Sequence, residues 1–391
     1  MYQTIACRLE ARASLYQTGG AIGFRDQLQD SVNMLTLDAH YALERILDCC
    51  RHQYSEGDVM HWWHENPEGD RGVRTRCSDD LLWLVWALCE YTDATGDYEI
   101  CSLSEPFIES PPLQPDEHDR YETAVPGAQS GSVLDHALRA IECAVSRGFD
   151  DGGLPLMLAG DWNDAMNEIG GGSVWLAWFM GHCALRLALL LEKLCKPDSE
   201  RYHALAASIA LAADRCFNGE YYIRARFPDG EAVCDGGRID SIAQSWAVLS
   251  GLADEHKARI AVQTALRRLV DREHGIVKLL DPPFTPDERR VGYISGYGAG
   301  FRENGGQYTH AAIWLAQAAI RLGMREEGME ILKMLLPENH NSEVYEAEPF
   351  VLPADVSAAK GFEGRAGWTW YTGSAGWYYR AVRGLRKDKE K

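Results

Sequence analysis

The stretch Gly152 to Gly170 reads GGLPLMLAGDWNDAMNEIG, an apolar run that leads into an Asp-Trp-Asn-Asp cluster between glycines. A carboxyl group beside an indole, in a loop entered through an apolar run, is expected to lose part of its hydration. This loss raises its pKa and lets it hold a proton near neutral pH. The pattern therefore predicts a general acid facing a sugar. The alternative is a turn in which Asp161 or Asp164 caps the next helix and Trp162 is core, because Asp and Asn are common at turns and caps.

The composition is that of a globular chain with a sizeable interior. Its 391 residues are 46% hydrophobic, enough for one large domain or two small ones. A formal net charge of -19 argues against a nucleic-acid partner or an anionic membrane surface, since both need a basic field. A small neutral or locally steered substrate fits this charge better.

The cysteines indicate a reducing compartment. Eleven of them are scattered without a CxxC pair, and no charged-then-apolar leader opens the chain, so we predict a cytoplasmic location and buried free thiols. No apolar run approaches the ~18 residues of a membrane span. His61 and His64 have a ligand spacing, but no third ligand at a supporting spacing follows, so we predict no metal and no cofactor.

Aromatic residues are the unusual feature of the composition. The chain has twelve Trp and seventeen Tyr, many of them in Gly-rich turns. Rings in loops beside carboxylates and amides suit a carbohydrate, whose C–H faces stack on rings while its hydroxyls bind polar groups. Core packing explains most of these rings equally well, so the composition leaves both interpretations open.

Helical patterns recur along the chain and alternate with long loops rich in Gly, Trp, Tyr and Asp. Helices are predicted at about 1–15, 31–54, 78–95, 132–148, 173–194, 199–217, 239–252, 256–271, 307–322, 326–336 and 374–383, with short strands at 221–227 and 275–280. The segments 57–77 and 105–131 are predicted as polar loops. Antiparallel helix pairs of this kind close into a toroid with the long loops at one end, so we predict an all-α fold.

Six motifs follow one another along nearly the whole chain. They are GFRDQLQD (23–30), GDVMHWWH (57–64), GDWNDAMN (160–167), RIDSIAQSWAVLSG (238–251), RENGGQYTHAA (302–312) and GWTWYTGSAGW (367–377). In these motifs the chain resembles the inverting disaccharide phosphorylases that include cellobiose and chitobiose phosphorylase. The resemblance is strongest to the phosphorylase region of cyclic β-1,2-glucan synthases and to 1,2-β-oligoglucan phosphorylases.

The resemblance implies an (α/α)6 barrel that cleaves a β-glucosidic bond with inorganic phosphate, giving α-glucose 1-phosphate and a shortened sugar. Its partners would be an oligosaccharide and phosphate, or glucose 1-phosphate in the reverse direction, and a homodimer is one assembly to test. Ordinary inverting glycosidases need both an acid and a base carboxylate. Phosphate is already an anionic nucleophile, so only the acid is required.

The motif positions carry the family's roles over residue by residue. The second aspartate of the family's DWND motif is its general acid and falls on Asp164. Trp162 then lines the glucosyl subsite, and Arg25 and Asp26 match the pair that binds the hydroxyls of that sugar.

The nucleophile and the leaving group have matching positions as well. His310, Thr372 and Gly373 match the phosphate-binding positions, where an imidazole, a hydroxyl and a backbone N–H are suitable donors. Tyr297 and Arg302 fall near the leaving-group subsite. A simple helix entrance at Thr372 and Gly373, and a packed ring at Tyr297, are the alternatives.

Three departures from the family pattern bear on these expectations. Gly20 stands where some members carry an arginine, so one anion or sugar contact has to come from elsewhere. Tyr293 stands where cellobiose-type enzymes have a glutamate toward the acceptor, which weakens a cellobiose assignment. Residues 1–391 are expected to form a single barrel domain with a truncated first helix, without the family's N-terminal β-sandwich and C-terminal β-domain.

Two other functions stay open at the level of sequence. A hydrolase on the same barrel would need a base carboxylate for water, and Asp161, Glu303 and Asp355 are the candidates. An inactive carbohydrate-binding remnant would fold and bind sugar without turnover.

Overall fold

The structure, a computed structural model, describes residues 2–10, 20–114 and 116–387. Its α-helices are α1 Tyr2–Thr4, α2 Phe24–Asn33, α3 Ala39–Cys50, α4 Leu82–Thr95, α5 Val133–Ser146, α6 Val174–Lys193, α7 Ser199–Asp214, α8 Ser241–Leu249, α9 Glu255–Leu269, α10 Thr309–Arg321, α11 Arg325–Met334, α12 Ser342–Tyr345 and α13 Ser374–Lys387. A π-helix, Ile5–Glu10, continues α1, and 3₁₀ turns lie at Glu99–Ser102, Asp164–Met166, Tyr293–Gly296 and Pro337–Asn339. The helix predicted at 1–15 lies partly outside the described residues.

Six helices form an inner ring. Each of α2, α4, α6, α8, α10 and α13 contacts the next, and α13 contacts α2, which closes the ring. The outer helices α3, α5, α7, α9 and α11 each pack on the inner helix that precedes them, and α1 contacts α13. This arrangement is the (α/α)6 barrel, so the all-α prediction is confirmed.

The inner helices are apolar because they are covered on all sides. Trp83, Trp175 and Trp314 are fully buried in the middle of the ring, and Trp246 packs edge-on against Trp314 with ring centroids 5.3 Å apart. Of the described helices, α6 has the length and composition of a membrane span, and 78% of its most apolar window is buried inside the structure. All eleven cysteines are free, as predicted, and eight of them are buried, whereas Cys7 and Cys143 are partly exposed and Cys195 is exposed.

Fifteen short strands lie in the loops of the described chain. They are β1 Ile22–Gly23, β2 Met60–His64, β3 Arg71–Thr75, β4 Ser104–Ile108, β5 Asp119–Thr123, β6 Pro126–Ser132, β7 Ala225–Arg226, β8 Ala232–Val233, β9 Ile239–Asp240, β10 Val270–Asp271, β11 Ile276–Val277, β12 Leu280–Asp281, β13 Gln307–Tyr308, β14 Pro353–Val356 and β15 Ala366–Thr369. The largest sheet has the antiparallel order β1-β2-β3-β5.

Several predicted boundaries were wrong. The supposed loops hold the β2–β3 hairpin, the strand β5, which pairs with β3, and the strands β4 and β6, which pair with each other in a separate sheet. Pro, Gly and Ser give β4 and β6 no hydrophobic alternation. The helix predicted at 31–54 is two helices, because the chain turns after Asn33 and Asp38 caps α3. The helix predicted from 78 starts at Leu82, since the carboxylates just before it turn toward Arg25.

Candidate active site

A polar cavity of about 250 Å³ lies where the amino-terminal ends of several inner helices meet. Each outer helix returns the chain, so successive inner helices begin at the same end of the barrel. The residues that line the cavity are Arg8, Arg25, Asp26, Gln29, Trp162, Asn163, Asp164, Arg302, Glu303, Tyr308, His310, Ala354, Trp368, Tyr371, Thr372 and Gly373. Three arginines and three carboxylates balance one another along its wall.

Eight of the nine residues to which the family resemblance assigns a catalytic or binding role line this cavity. They are Arg25, Asp26, Trp162, Asp164, Arg302, His310, Thr372 and Gly373. Among the described residues, Tyr297 does not line it: its ring lies 5.6 Å from the Arg302 guanidinium and packs against a minor apolar cluster. This packing agrees with the packed-ring alternative, and the place of Tyr297 near the leaving-group subsite stays a prediction.

The environment of Asp164 differs from the one expected. Its side chain is 42% exposed rather than desolvated beside the indole. Arg25 donates to both carboxylate oxygens, at 2.8 and 2.7 Å, and also donates to Asp79 at 3.1 Å. Arg25, expected to bind sugar hydroxyls, is thus an arginine that holds the Asp164 carboxylate.

Asp161, three residues earlier, has a structural environment. Its carboxylate is fully buried and accepts hydrogen bonds from Arg224 at 2.6 Å and from Ser173 at 2.7 Å. Ser173 also caps α6, so Asp161 ties the DWND loop to the start of that helix. The turn alternative applies to Asp161, and the same burial removes Asp161 as a base for a water molecule.

The DWND indole forms the apolar wall of the cavity. Trp162 is nearly buried, and its ring packs edge-on against His310 at 5.1 Å and against Tyr308 at 5.5 Å. It is therefore both a core residue, as one alternative stated, and a residue that faces the cavity.

His310 and the start of α13 form a donor group suited to an anion. The His310 ring is buried, and its Nε2 has no hydrogen-bond partner within the described ranges. Burial, and then the positive charge of Arg8, hold the pKa of His310 well below its ordinary value, so the ring is neutral. Thr372 and Gly373 directly precede α13, whose first N–H groups and dipole favour an anion.

Gly373 leaves room that another residue would fill. A Cβ atom at this position would lie 3.3 Å from His310 Nδ1 and 3.5 Å from Arg8 Nη2. The helix entrance and the cavity wall are therefore the same feature, and the glycine keeps the space between the imidazole and the guanidinium open.

Arg8 is the main cavity residue that sequence reasoning missed. Its buried guanidinium donates to Asp30 at 2.7 Å and pairs with Asp26 at 3.0 Å. Burial raises the pKa of Asp30 to about 6. Gly20 is not among the described residues that line the cavity, and Arg8 supplies a cation there from the first helix. An arginine inside an otherwise apolar helical pattern was the available signal.

The two remaining candidate bases have different positions. Glu303 lines the cavity, mostly buried and 3.4 Å from the Arg302 guanidinium, and burial raises its pKa. Asp355 is buried and is not among the described residues that line the cavity; burial raises its pKa, and its Oδ1 lacks a partner in the described part of the chain. Glu303 is therefore the candidate that can touch a bound sugar.

His61 belongs to the charge network behind Asp164. Ligand atoms of His61, Cys77 and Asp80 lie within 4.8 Å of one another, and His64 is not part of this group. Arg25 lies 3.9 Å from the Cys77 sulfur and 3.8 Å from Asp80, so its positive charge opposes a metal cation at this point.

This network predicts a pH-dependent stability. Burial lowers the pKa of His61, but the Asp80 carboxylate, 2.7 Å from Nδ1, raises it by more than burial lowers it, and the resulting pKa is about 9. The pair therefore contributes stability, on the order of 3 kcal/mol, that is complete below about pH 6.5 and is lost as the pH rises to 9. His61→Gln should lower the urea midpoint at pH 6 and match the wild type above pH 9. His64→Gln, at an exposed histidine nearby, should show no such convergence, and a deficit of His61→Gln that is equal at both pH values would refute the assignment.

Comparisons with known proteins identify the family of the chain. The model of the Glycosyl hydrolase 94 superfamily, catalytic domain, matches residues 1–385. The cyclic β-(1,2)-glucan synthase NdvB of Rhizobium meliloti is 41% identical over 100% of this chain and 14% of its own length. An N,N'-diacetylchitobiose phosphorylase of Vibrio proteolyticus is 26% identical over 98% of the chain and 50% of its own length, and a solabiose phosphorylase of Paenibacillus borealis is 28% identical over 92% and 45%.

A solved structure of a GH63 mannosylglycerate hydrolase from Thermus thermophilus, in complex with glucose, shares the fold. It has a TM-score of 0.61 and 10% identity over 99% of both chains. The chain spans half or less of the length of the curated relatives named above. It belongs to the Glycosyl hydrolase 94 superfamily, whose catalytic domain it contains.

Proposed function

We propose that this chain catalyses the inverting phosphorolysis of a β-glucoside, with a β-1,2-linked gluco-oligosaccharide as the substrate. One observation carries the proposal: a buried, neutral imidazole with an unpartnered nitrogen shares a cavity with Asp164 and with the start of α13. Curated relatives that cover this barrel are named as disaccharide phosphorylases, and the 41% identical relative is named as a β-1,2-glucan synthase.

The chemistry needs one acid and one anion site. Phosphate attacks the anomeric carbon, the bond from that carbon to the bridging oxygen breaks, and Asp164 gives its proton to that oxygen. The proton that hydrogen phosphate loses restores Asp164, so no net proton is consumed. Because Arg25 occupies both oxygens of the Asp164 carboxylate, one oxygen has to leave the guanidinium when the sugar binds.

The other residues divide between sugar and phosphate. Trp162 supplies a ring, and Asp26 supplies a carboxylate whose side chain is one-third exposed, for the glucosyl unit. His310, Thr372 and the Gly373 N–H donate to phosphate oxygens, which suits a chain whose net charge of -19 opposes an incoming anion.

Removal of one phosphate donor tests the assignment. His310→Ala should raise the phosphate concentration for half-maximal rate by one to two decades, since a hydrogen bond to a charged group is worth about 1.5–3 kcal/mol. The oligosaccharide requirement should stay nearly unchanged. His340→Ala, which removes a ring stacked on Tyr345 outside the cavity, is the matched control.

A hydrolase is the second candidate, because Glu303 lines the same cavity as Asp164. It would release glucose at a rate independent of phosphate, and Glu303→Gln would abolish that release. Sugar binding without turnover in either buffer would instead identify an inactive remnant.

A further inference from the structure

A second cavity of about 320 Å³ adjoins the first, and the two share the lining residues Arg25, Asp26, Asp164 and Tyr371. Asp164 lines both, whereas His310, Thr372 and Gly373 line only the first. Trp62 lines only the second. A general acid that protonates a bridging oxygen lies between the glucosyl unit and its leaving group. The second cavity, on the side without the phosphate donors, is thus the side of the leaving sugar.

The sheet continues this cavity outward along one row of side chains. Trp62 on β2 pairs with Val73 on β3, which pairs with Tyr121 on β5. Paired residues of neighbouring strands point to the same face, and Trp63, on the opposite face, is fully buried. The Trp62 and Tyr121 rings lie 6.0 Å apart at 44°, and we call these two rings the aromatic row.

The two rings of the aromatic row are more exposed to solvent than rings that serve only to pack the sheet. Tyr121 is 58% exposed and Trp62 is half-buried, so both rings keep surface in contact with water. A cross-strand ring pair by itself stabilises a sheet only slightly. Large exposed rings that extend from a cavity with a carboxylate and an arginine match the chemistry of a sugar chain, whose C–H faces stack on rings.

The geometry points to the aromatic row as a binding surface for the leaving-group part of a β-linked gluco-oligosaccharide, beyond the unit next to Asp164. This inference rests on the proposed function, because it takes Asp164 as the acid. An uncharged sugar chain meets no repulsion from the chain's negative charge. The substrate class is then an oligosaccharide, with a disaccharide as a poorer ligand.

The test compares a β-1,2-linked disaccharide with a longer β-1,2-linked oligosaccharide by calorimetric titration and by phosphorolysis rate. Tyr121→Ala should weaken binding of the long sugar, and raise its KM, about threefold to tenfold, the effect of one aromatic contact. It should leave the disaccharide unchanged. Phe350→Ala, at a ring that is 71% exposed and lines neither cavity, should affect neither sugar.

The outcomes separate this inference from the proposed function. Length-dependent binding that Tyr121→Ala removes supports the aromatic row even if no phosphorolysis occurs. Phosphorolysis with equal affinities for both lengths, or with equal losses for both in Tyr121→Ala, overturns it. Trp62→Phe, which keeps a ring beside Asp164, should retain most of the length dependence, and a complete loss with unchanged thermal stability would also count against stacking.

Discussion

Asp164→Asn is expected to reduce phosphorolysis of an unactivated β-glucoside by about 10²- to 10⁴-fold, the usual contribution of a general acid. The amide keeps the shape of the side chain and can still accept from Arg25, but its N–H groups are far too weakly acidic to protonate the departing oxygen. Sugar binding should stay close to that of the wild type. Initial rates with saturating phosphate, together with calorimetric titration of the oligosaccharide, measure the two effects separately.

An activated substrate is the control for this variant. A 2,4-dinitrophenyl β-glucoside has a leaving group that departs without a proton, so Asp164→Asn should cleave it at nearly the wild-type rate. Equal losses on activated and unactivated substrates would show that Asp164 acts by holding the site together and not as an acid.

Asp161→Ala is expected to lower the free energy of unfolding by about 3–5 kcal/mol, because it leaves the buried guanidinium of Arg224 without its main carboxylate partner. Arg224 is fully buried, and its next carboxylate, Asp240, is 3.7 Å away, too distant for a good hydrogen bond. The variant should have a much lower urea midpoint, while the molecules that remain folded keep most of their turnover.

A double variant tests whether the pair itself is responsible. Asp161→Leu combined with Arg224→Met removes both charges. The double variant should therefore lose clearly less free energy of unfolding than the two single variants lose together. Wild-type stability in Asp161→Ala together with a loss of turnover as large as that of Asp164→Asn would instead assign Asp161 to the chemistry.

The helical part of the fold could be predicted because long helices carry a periodic signal. The apolar pattern at 173–194 corresponds to α6, and the one at 199–217 to α7. The strand β6, PGAQSGS, has no such pattern and is ordered by pairing with β4. Local propensity does not report this kind of pairing.

The site was predictable by position but not by interaction. The motifs identify Asp164 and His310, yet the partner that holds Asp164 is Arg25, 139 residues away along the chain. The Asp164 carboxylate is therefore partly exposed and paired with an arginine, whereas the local sequence predicted a carboxyl group desolvated beside an indole. Arg8 was missed for the same reason: the residues beside it in the sequence do not indicate that it pairs with Asp26 and Asp30 in the folded barrel.

The most direct test of phosphorolysis is to identify the product. The protein is incubated with a β-1,2-linked gluco-oligosaccharide, with and without inorganic phosphate, and the anomeric protons and phosphorus are followed by NMR. Phosphorolysis predicts α-glucose 1-phosphate that accumulates in step with the shortened sugar, and no reaction without phosphate. Free glucose released at the same rate in both samples would contradict it.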